Sequence, residues 1–144
     1  MSTIEHGMLR EKIRSALTHR AGTNPDANAF AEATLGAWQD VAVRLSPVIG
    51  AGGVDALFRR SLYLASATYS WMASAEDDEN SAEVLASFKK RLAARETTVS
   101  AEAGCILLET FTELLEALIG NSLTERLLNP VWGEAPAPDE ESTS

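Results

Sequence analysis

The stretch SPVIGAGGVDALFRR, residues 46–60, is the segment whose residue types come nearest to a nucleotide-binding turn. A dinucleotide fold places G-x-G-x-x-G between a strand and a helix, so that N–H groups at the helix start face the pyrophosphate. Gly50 and Gly52 supply the first two positions, but Asp55 stands at the third, where its side chain and its charge oppose phosphate binding. Pro47 would also remove a hydrogen bond from the strand. The stretch is therefore interpreted as a junction between two helices.

A second stretch, EALIGNSLTERLLNP at residues 116–130, matches the first at an offset of 70 residues. Ile49 and Gly50 align with Ile119 and Gly120. In each stretch an apolar helix ends on Ile-Gly, a short turn follows, and an acidic residue lies in the first turns of the next helix. Glycine can take the left-handed conformation that closes a helix. The pattern predicts two helical hairpins related by duplication or convergence.

Other residues that could do chemistry lack the partners that the chemistry needs. His6 and His19 have neither the i, i+4 histidine nor the neighbouring cysteine of a zinc site. A ladder of carboxylates runs along one predicted helix, at Glu102, Glu109, Glu113 and Glu116. A di-iron bundle would pair such carboxylates with histidines, which this helix does not contain. We interpret the ladder as the solvated edge of the helix.

Cys105 is the single cysteine, which excludes an intramolecular disulfide and fits a reducing cytoplasm. It stands among apolar residues without a base nearby in sequence, so we expect a buried core thiol. The acidic segment from Glu76 to Glu79 lacks the glycine and the final glutamate of a calcium loop. We therefore predict no catalytic residue, no metal and no cofactor.

The charge and hydropathy of the whole chain bound its location and its partners. Its 144 residues carry 12 Lys and Arg against 21 Asp and Glu, a formal net charge of −9. A nucleic-acid binder needs a basic face, so nucleic acid is not an expected partner. No uninterrupted apolar signal region and no window resembling a membrane span is evident. We expect a cytoplasmic protein that does not enter a membrane.

Aromatic residues concentrate in one predicted hairpin, and core packing is their usual role. An aromatic-lined pocket or a partner-binding groove is the alternative, because binding sites of helical bundles form between helices. Arg59 stands four residues after Asp55, which favours an ion pair on the helix surface; a contact between Arg59 and an anion or an acidic partner is the alternative. The candidate pocket or interaction residues are Trp38, Phe58, Arg59, Tyr69 and Trp71.

In the segments that must position these residues, apolar side chains recur at steps of three and four residues, as they do along one face of a helix. The pattern predicts an all-α, single-domain bundle of about five to six helices over residues 1–132, and a disordered acidic tail over residues 133–144. The segment SAEDDENS, residues 74–81, is the predicted linker. The predicted helices span residues 4–20, Pro25 (after an Asn24 cap) to Leu45, Gly53 to Met72, Ser81 to Arg95, Ser100 to Ile119 and Ser122 to Asn129.

The helix from Ser100 to Ile119 predicts self-association. Its apolar face is broad, with Leu107, Leu108, Phe111, Leu114, Leu115 and Leu118. One domain has few other helices to cover this face, and a two-fold dimer would bury it. The face with Phe88 and Leu92 is a second candidate contact.

The predicted function is that of a non-enzymatic protein-interaction or regulatory module. We expect it to form a homodimer and to bind a protein partner that the sequence does not identify. The alternative is a sensor with a pocket for a small apolar molecule near Trp38 and Trp71.

Overall fold

The computed structural model describes residues 2–72 and 81–132, with side chains described from residue 9 in the first helix and from residue 85 in the third. Within these ranges there are five α-helices, one short 3-10 helix and no strand, so the predicted all-α fold is confirmed. Residues 74–80 of the predicted linker and the tail predicted at residues 133–144 lie outside the described residues. The elements are α1 (Ser2–Ala21), α2 (Ala27–Ala65), a 3-10 helix (Ser70–Met72), α3 (Ser81–Ala93), α4 (Thr97–Ile119) and α5 (Asn121–Trp132).

An aspartate caps the start of α2. The carboxylate of Asp26 accepts a hydrogen bond from the N–H of Ala29 at 2.9 Å, and the backbone of Asp26 is extended, as an N-cap requires. Asn24 has a φ of 52° and lies outside the helix. The prediction of Asn24 as the cap is wrong, because Asp26 is the residue whose side chain reaches a free N–H of the first turn.

Glycine joins two helical segments at two places, as predicted. Gly50 interrupts α2 with φ 83° and ψ 153°, and Gly120 separates α4 from α5 with φ 94° and ψ 158°. Both glycines have the positive φ of the predicted left-handed helical conformation, but their ψ angles are those of an extended residue. The predicted conformation is therefore wrong in this angle. This combination of angles is open essentially to glycine alone. It turns the chain so sharply that α5 begins at Asn121, directly after the glycine, without the predicted turn of two or three residues.

α2 ends at Ala65, whereas the prediction continued this helix to Met72. The hydroxyl of Ser66 donates to the carbonyl of Tyr63, and the N–H of Ser66 is shared between carbonyls of the last turn. Serine and threonine compete with the helix in this way through their own hydrogen bonds. The guanidinium of Arg91 donates to the carbonyl of Met72 at 2.9 Å and ties the 3-10 helix to α3.

α4 packs against each of the other four α-helices of the described residues, and α2 is its main neighbour. The first part of α2 runs parallel to α4, because contacts advance along both helices together: Ser100 donates to the carbonyl of Ala27, and the ring of Trp38 contacts Phe111. α1 runs in the opposite direction, since Arg10 pairs with Glu109 far along α4. Gly50 and Gly120 therefore lie at the same end of the bundle.

Two units of the chain bury the same positions. Every buried residue from Ala33 to Leu62 has a buried counterpart 70 positions later in the sequence. We call residues 27–62 the first unit and residues 97–132 the second unit; each is a long helix, a glycine and a shorter helix. This likeness extends well beyond the 15 residues matched by sequence. An origin by duplication stays a prediction.

The apolar face of α4 is largely covered by the chain itself. Leu107, Leu108, Phe111 and Leu115 are buried, Leu114 is half-buried, and Leu118 is exposed. Phe88 and Leu92, the second contact expected for a dimer, are also fully buried. The prediction of a dimer from an uncovered leucine face therefore rests on Leu118 alone.

α2 is long and apolar enough to cross a membrane by length and composition, with a mean hydropathy of 1.4 over its most apolar window. The expectation that no window comes near a membrane span is wrong by this criterion. Core helices of soluble proteins meet the same criterion, so it does not by itself place α2 in a membrane. Of that window, 22% is buried within the chain.

Two of the glycines of α2, Gly50 and Gly52, predict opposite effects on stability when each is replaced by alanine. Gly50→Ala should lower the free energy of unfolding by about 1–2 kcal/mol, because alanine is strained at these backbone angles. A Cβ at Gly50 would meet no atom within 4 Å, so the strain is confined to the backbone. Gly52→Ala, at an open helical position, should instead raise it by about 0.5–1 kcal/mol. Urea unfolding followed by circular dichroism measures both, and equal effects would contradict the role assigned to Gly50.

Candidate functional site

Trp38 and Phe58 lie in the hydrophobic core. Their ring centroids are 4.6 Å apart, and Trp38 also meets Phe111 edge-on at 4.8 Å. Phe58 in turn contacts Phe88 at 6.1 Å, so helices α2, α3 and α4 contribute to one aromatic cluster. Trp38 and Phe58 are both buried. The structure thus brings these two candidates together as packing residues.

Tyr69 and Trp71 form a separate pair after the end of α2. Their ring centroids are 5.6 Å apart, and both side chains are half-buried. The guanidinium of Arg95 lies over the Trp71 ring at 4.7 Å, and the Tyr69 hydroxyl donates to Glu102 at 3.2 Å. Burial, and then this hydrogen bond, raise the pKa of Tyr69. These contacts attach the segment after α2 to the turn between α3 and α4 and to α4 itself.

Arg59 forms the ion pair expected on the surface of α2. Its Nε donates to Asp55 Oδ2 at 3.1 Å, and both side chains are about one-third exposed. Such an i, i+4 pair contributes about 0.3–0.5 kcal/mol to helix stability. An additional contact between Arg59 and an anion stays a prediction.

One carboxylate of the predicted ladder is buried, so the interpretation of the ladder as a solvated edge is wrong for Glu109. Two nitrogens of Arg10 contact Glu109 Oε1, at 2.9 and 2.8 Å. The hydrogen bond with Glu109 raises the pKa of Arg10. No pattern in the sequence indicates this pair, because its members are separated by 99 positions.

Cys105 is buried beside this ion pair, as expected for a core thiol. Burial raises the pKa of Cys105 to about 11, and the nearby Arg14 and Arg10 lower it less than burial raises it. A thiol with this pKa is almost wholly protonated at neutral pH and is a poor nucleophile. No group of three or more His, Cys, Asp or Glu that could hold a metal ion is found in the described part of the chain.

A polar cleft of about 110 Å³ opens between α1, α4 and α5. None of the five candidate residues from the sequence lines it. Its floor contains the apolar side chains of Leu9, Leu128 and Trp132, of which the last two are buried. The polar lining residues are Lys12, Thr112, Glu116, Asn121, Thr124, Glu125 and Asn129. We call this the α1–α5 cleft.

Two buried hydroxyl groups line the α1–α5 cleft. Thr124 donates to the carbonyl of Gly120 at 2.7 Å, and Thr112 donates to the carbonyl of Leu108 at 2.8 Å. Each hydroxyl has a single proton, which is committed to the helix, so toward a ligand these oxygens can only accept. Lys12 Nζ, at the side of the cleft, is 3.5 Å from the Asn129 amide oxygen.

The first unit shows that the fold does not require polar residues at these positions. At the places of Thr112, Asn121 and Thr124, the first unit has alanine, alanine and valine: Ala42, Ala51 and Val54. Val54 is buried like its counterpart Thr124. The polarity at these three positions of the cleft therefore belongs to the second unit alone. The sequence contains this signal, but it lies in the differences between the two units and not in their similarities.

Comparison with protein-family models, with curated proteins and with solved structures gives no match for this chain. The fold and the site define the class: an all-α helical bundle with a buried aromatic cluster and one small polar cleft between α1, α4 and α5.

Proposed function

We propose that this chain is a non-enzymatic cytoplasmic helical module that acts by binding protein, and that a second copy of the chain is one partner. The observation that carries the proposal is a set of exposed apolar side chains at the end of the bundle that holds both glycine junctions. We call this surface the glycine end. Its exposed apolar residues are Val43, Pro47 and Val48 before Gly50, and Leu118 before Gly120.

Three of these apolar side chains are well exposed to solvent. Val43 is 74% exposed, Val48 is 44% exposed and Leu118 is 60% exposed. Single apolar side chains on a surface are ordinary, but several at one end of a small domain are typical of an interaction site. The low buried fraction of the apolar window of α2 supports the same conclusion.

The distribution of charge favours contact between two copies at this end. Copies of a chain with a net charge of −9 repel each other. No charged residue occurs between Arg44 and Asp55, or between Glu116 and Glu125, so both junctions are uncharged. Two copies can meet there with the least repulsion. A self-complementary patch also suits a two-fold dimer.

Glutamate at the glycine end should separate the dimer. We expect Val48→Glu and Leu118→Glu to be monomeric across micromolar concentrations in sedimentation velocity, where the unmodified chain is a dimer, because each introduces a charge into an apolar contact. Circular dichroism should stay unchanged, since both side chains are exposed.

Tyr63→Glu is the matched control for this experiment. Tyr63 is 66% exposed but lies thirteen residues after Gly50, about 20 Å along the helix. This variant should still be a dimer. A monomeric unmodified chain, or an equal effect of Tyr63→Glu, would contradict self-association at the glycine end.

Binding of a small molecule is a second candidate function. The α1–α5 cleft supports it, because buried polar groups converge there on an apolar floor. The aromatic pocket that the sequence suggested gives less support, since Trp38 and Phe58 pack against other rings in the core.

A further inference from the structure

We propose that the α1–α5 cleft binds a short alkylammonium group, which is a protonated primary amine on a short hydrocarbon chain. This inference rests on the second candidate function, binding of a small molecule. It is independent of self-association, because the cleft is lined by none of the exposed apolar residues of the glycine end.

Three hydrogen-bonding groups of the cleft, two hydroxyls and one carboxylate, call for a ligand that donates. The oxygens of Thr112 and Thr124 can only accept, because their protons are donated to backbone carbonyls. The carboxylate of Glu125 also accepts and lies at the same cleft. An ammonium group brings three donors on one atom and forms charge-assisted hydrogen bonds with carboxylates.

Charge and shape limit the ligand further. Among the lining residues that the structure describes, one is cationic, Lys12, and two are glutamates, and the whole chain is strongly acidic, so the cleft attracts cations. Leu128 and Trp132 offer an apolar surface for a hydrocarbon chain, and the indole also attracts a cation. A cavity of about 150 Å³ holds benzene. A volume of about 110 Å³ therefore fits a ligand slightly smaller than benzene.

The difference between the two units indicates that the polar residues of the second unit serve a ligand. Val54 occupies the place of Thr124 in the first unit, where it is buried and satisfies the same packing. A buried threonine in place of valine adds nothing to the core, because its hydroxyl must be given a hydrogen bond to offset its desolvation. An acceptor that faces the cleft is what the second unit gains.

Titration with n-butylammonium chloride tests the proposal. In a ¹H–¹⁵N spectrum of the full chain, the indole N–H of Trp132 should shift and saturate, while those of Trp38 and Trp71 should not. We expect a dissociation constant on the order of 1 mM for so small a ligand. n-Butanol and sodium chloride at the same concentrations should give no saturating shift of Trp132.

A parallel titration with Nα-acetyl-lysine methylamide distinguishes two sources of the ammonium group. Saturation by both compounds indicates that a lysine side chain of a partner fits the cleft. Saturation by n-butylammonium alone indicates a free amine. Either result supports alkylammonium binding, and saturation by neither compound overturns it.

Variants locate the binding. Glu125→Gln should raise the dissociation constant about tenfold, because it removes a charged hydrogen-bond acceptor. Thr124→Val, which restores the residue type of the first unit, should raise it severalfold. Asp55→Asn removes the same charge from the counterpart position and should leave it unchanged. Equal effects of Glu125→Gln and Asp55→Asn would overturn the proposal, since they would report the net charge only.

Circular dichroism and sedimentation of the same samples separate this result from that of the proposed self-association. A chain that forms the dimer but does not bind the amine would contradict only the proposal for the cleft. A monomeric chain that still binds the amine would contradict only the proposed self-association at the glycine end.

Discussion

Trp38→Ala should lower the free energy of unfolding by about 3–5 kcal/mol, which is the usual cost of removing a large aromatic ring from a core. Trp38 is 4% exposed, and its ring contacts Phe58 and Phe111 from two other parts of the fold. The cavity left behind would be bordered by α2 and α4, the most extensive helix contact of the protein. Since small domains are stable by only about 5–15 kcal/mol, this variant is expected to be close to unfolded at 37 °C.

Trp71→Ala is the matched control, because it removes the same side chain from a half-buried position. The Trp71 ring contacts Tyr69 and the guanidinium of Arg95. We expect a loss of about 1 kcal/mol, the typical size of one aromatic pair or one exposed cation–π contact. Urea unfolding measured by circular dichroism compares the two variants.

These measurements also decide between the two interpretations of the aromatic residues. If both tryptophans matter equally little for stability, Trp38 is not a core residue. If a small apolar molecule raises the melting temperature of the unmodified protein and Trp38→Ala abolishes this rise, an aromatic pocket exists after all. The geometry favours core packing, because ring–ring contacts surround Trp38.

The sequence was sufficient to predict the helices and their glycine junctions, because both depend on local properties. Apolar residues at steps of three and four predict a helix, and glycine before a new helix start predicts a break. The predicted end of α2 at Met72 is wrong for a related reason. The apolar stripe of the helix continues to Met72, but hydrogen bonding by Ser66 ends the helix earlier. Periodicity records which side chains could be buried, and not which polar side chain ends the helix.

The contacts that define the sites could not be predicted, since they join distant parts of the chain. The pair of Arg10 with Glu109 and the close approach of Thr34 to Gly104 both depend on how three helices pack. The sequence predicts that a second copy of the chain covers the broad apolar face of α4, because the pattern does not show that α1, α2 and α5 cover it. The α1–α5 cleft arises in the same way, from residues of three separate helices.

Gly104→Ala should lower the free energy of unfolding by about 2–3 kcal/mol, even though alanine usually stabilises a helix. A Cβ at this position would clash with the Thr34 hydroxyl oxygen and would lie 3.4 Å from Leu17 Cδ1. Thr34 cannot move aside without cost, because it is fully buried and donates to the carbonyl of Phe30 at 2.9 Å. α2 and α4 would therefore have to separate along their main contact. Gly52→Ala, at an open position, is the control and should not destabilise the protein.

A double-mutant cycle with Thr34→Ala identifies the clash. Removing the Thr34 hydroxyl removes the atom that a new Cβ would strike, and it leaves no donor without an acceptor. The double variant should therefore be about as stable as Thr34→Ala alone, with a coupling free energy of about 2 kcal/mol, well above the values of independent sites. If the double variant is as unstable as the sum of both changes, Gly104 is needed for another reason, such as its contact with Leu17. Because Thr34 and Gly104 are counterparts 70 positions apart, a large coupling would show that the two units meet at equivalent positions, where threonine in one unit requires glycine in the other.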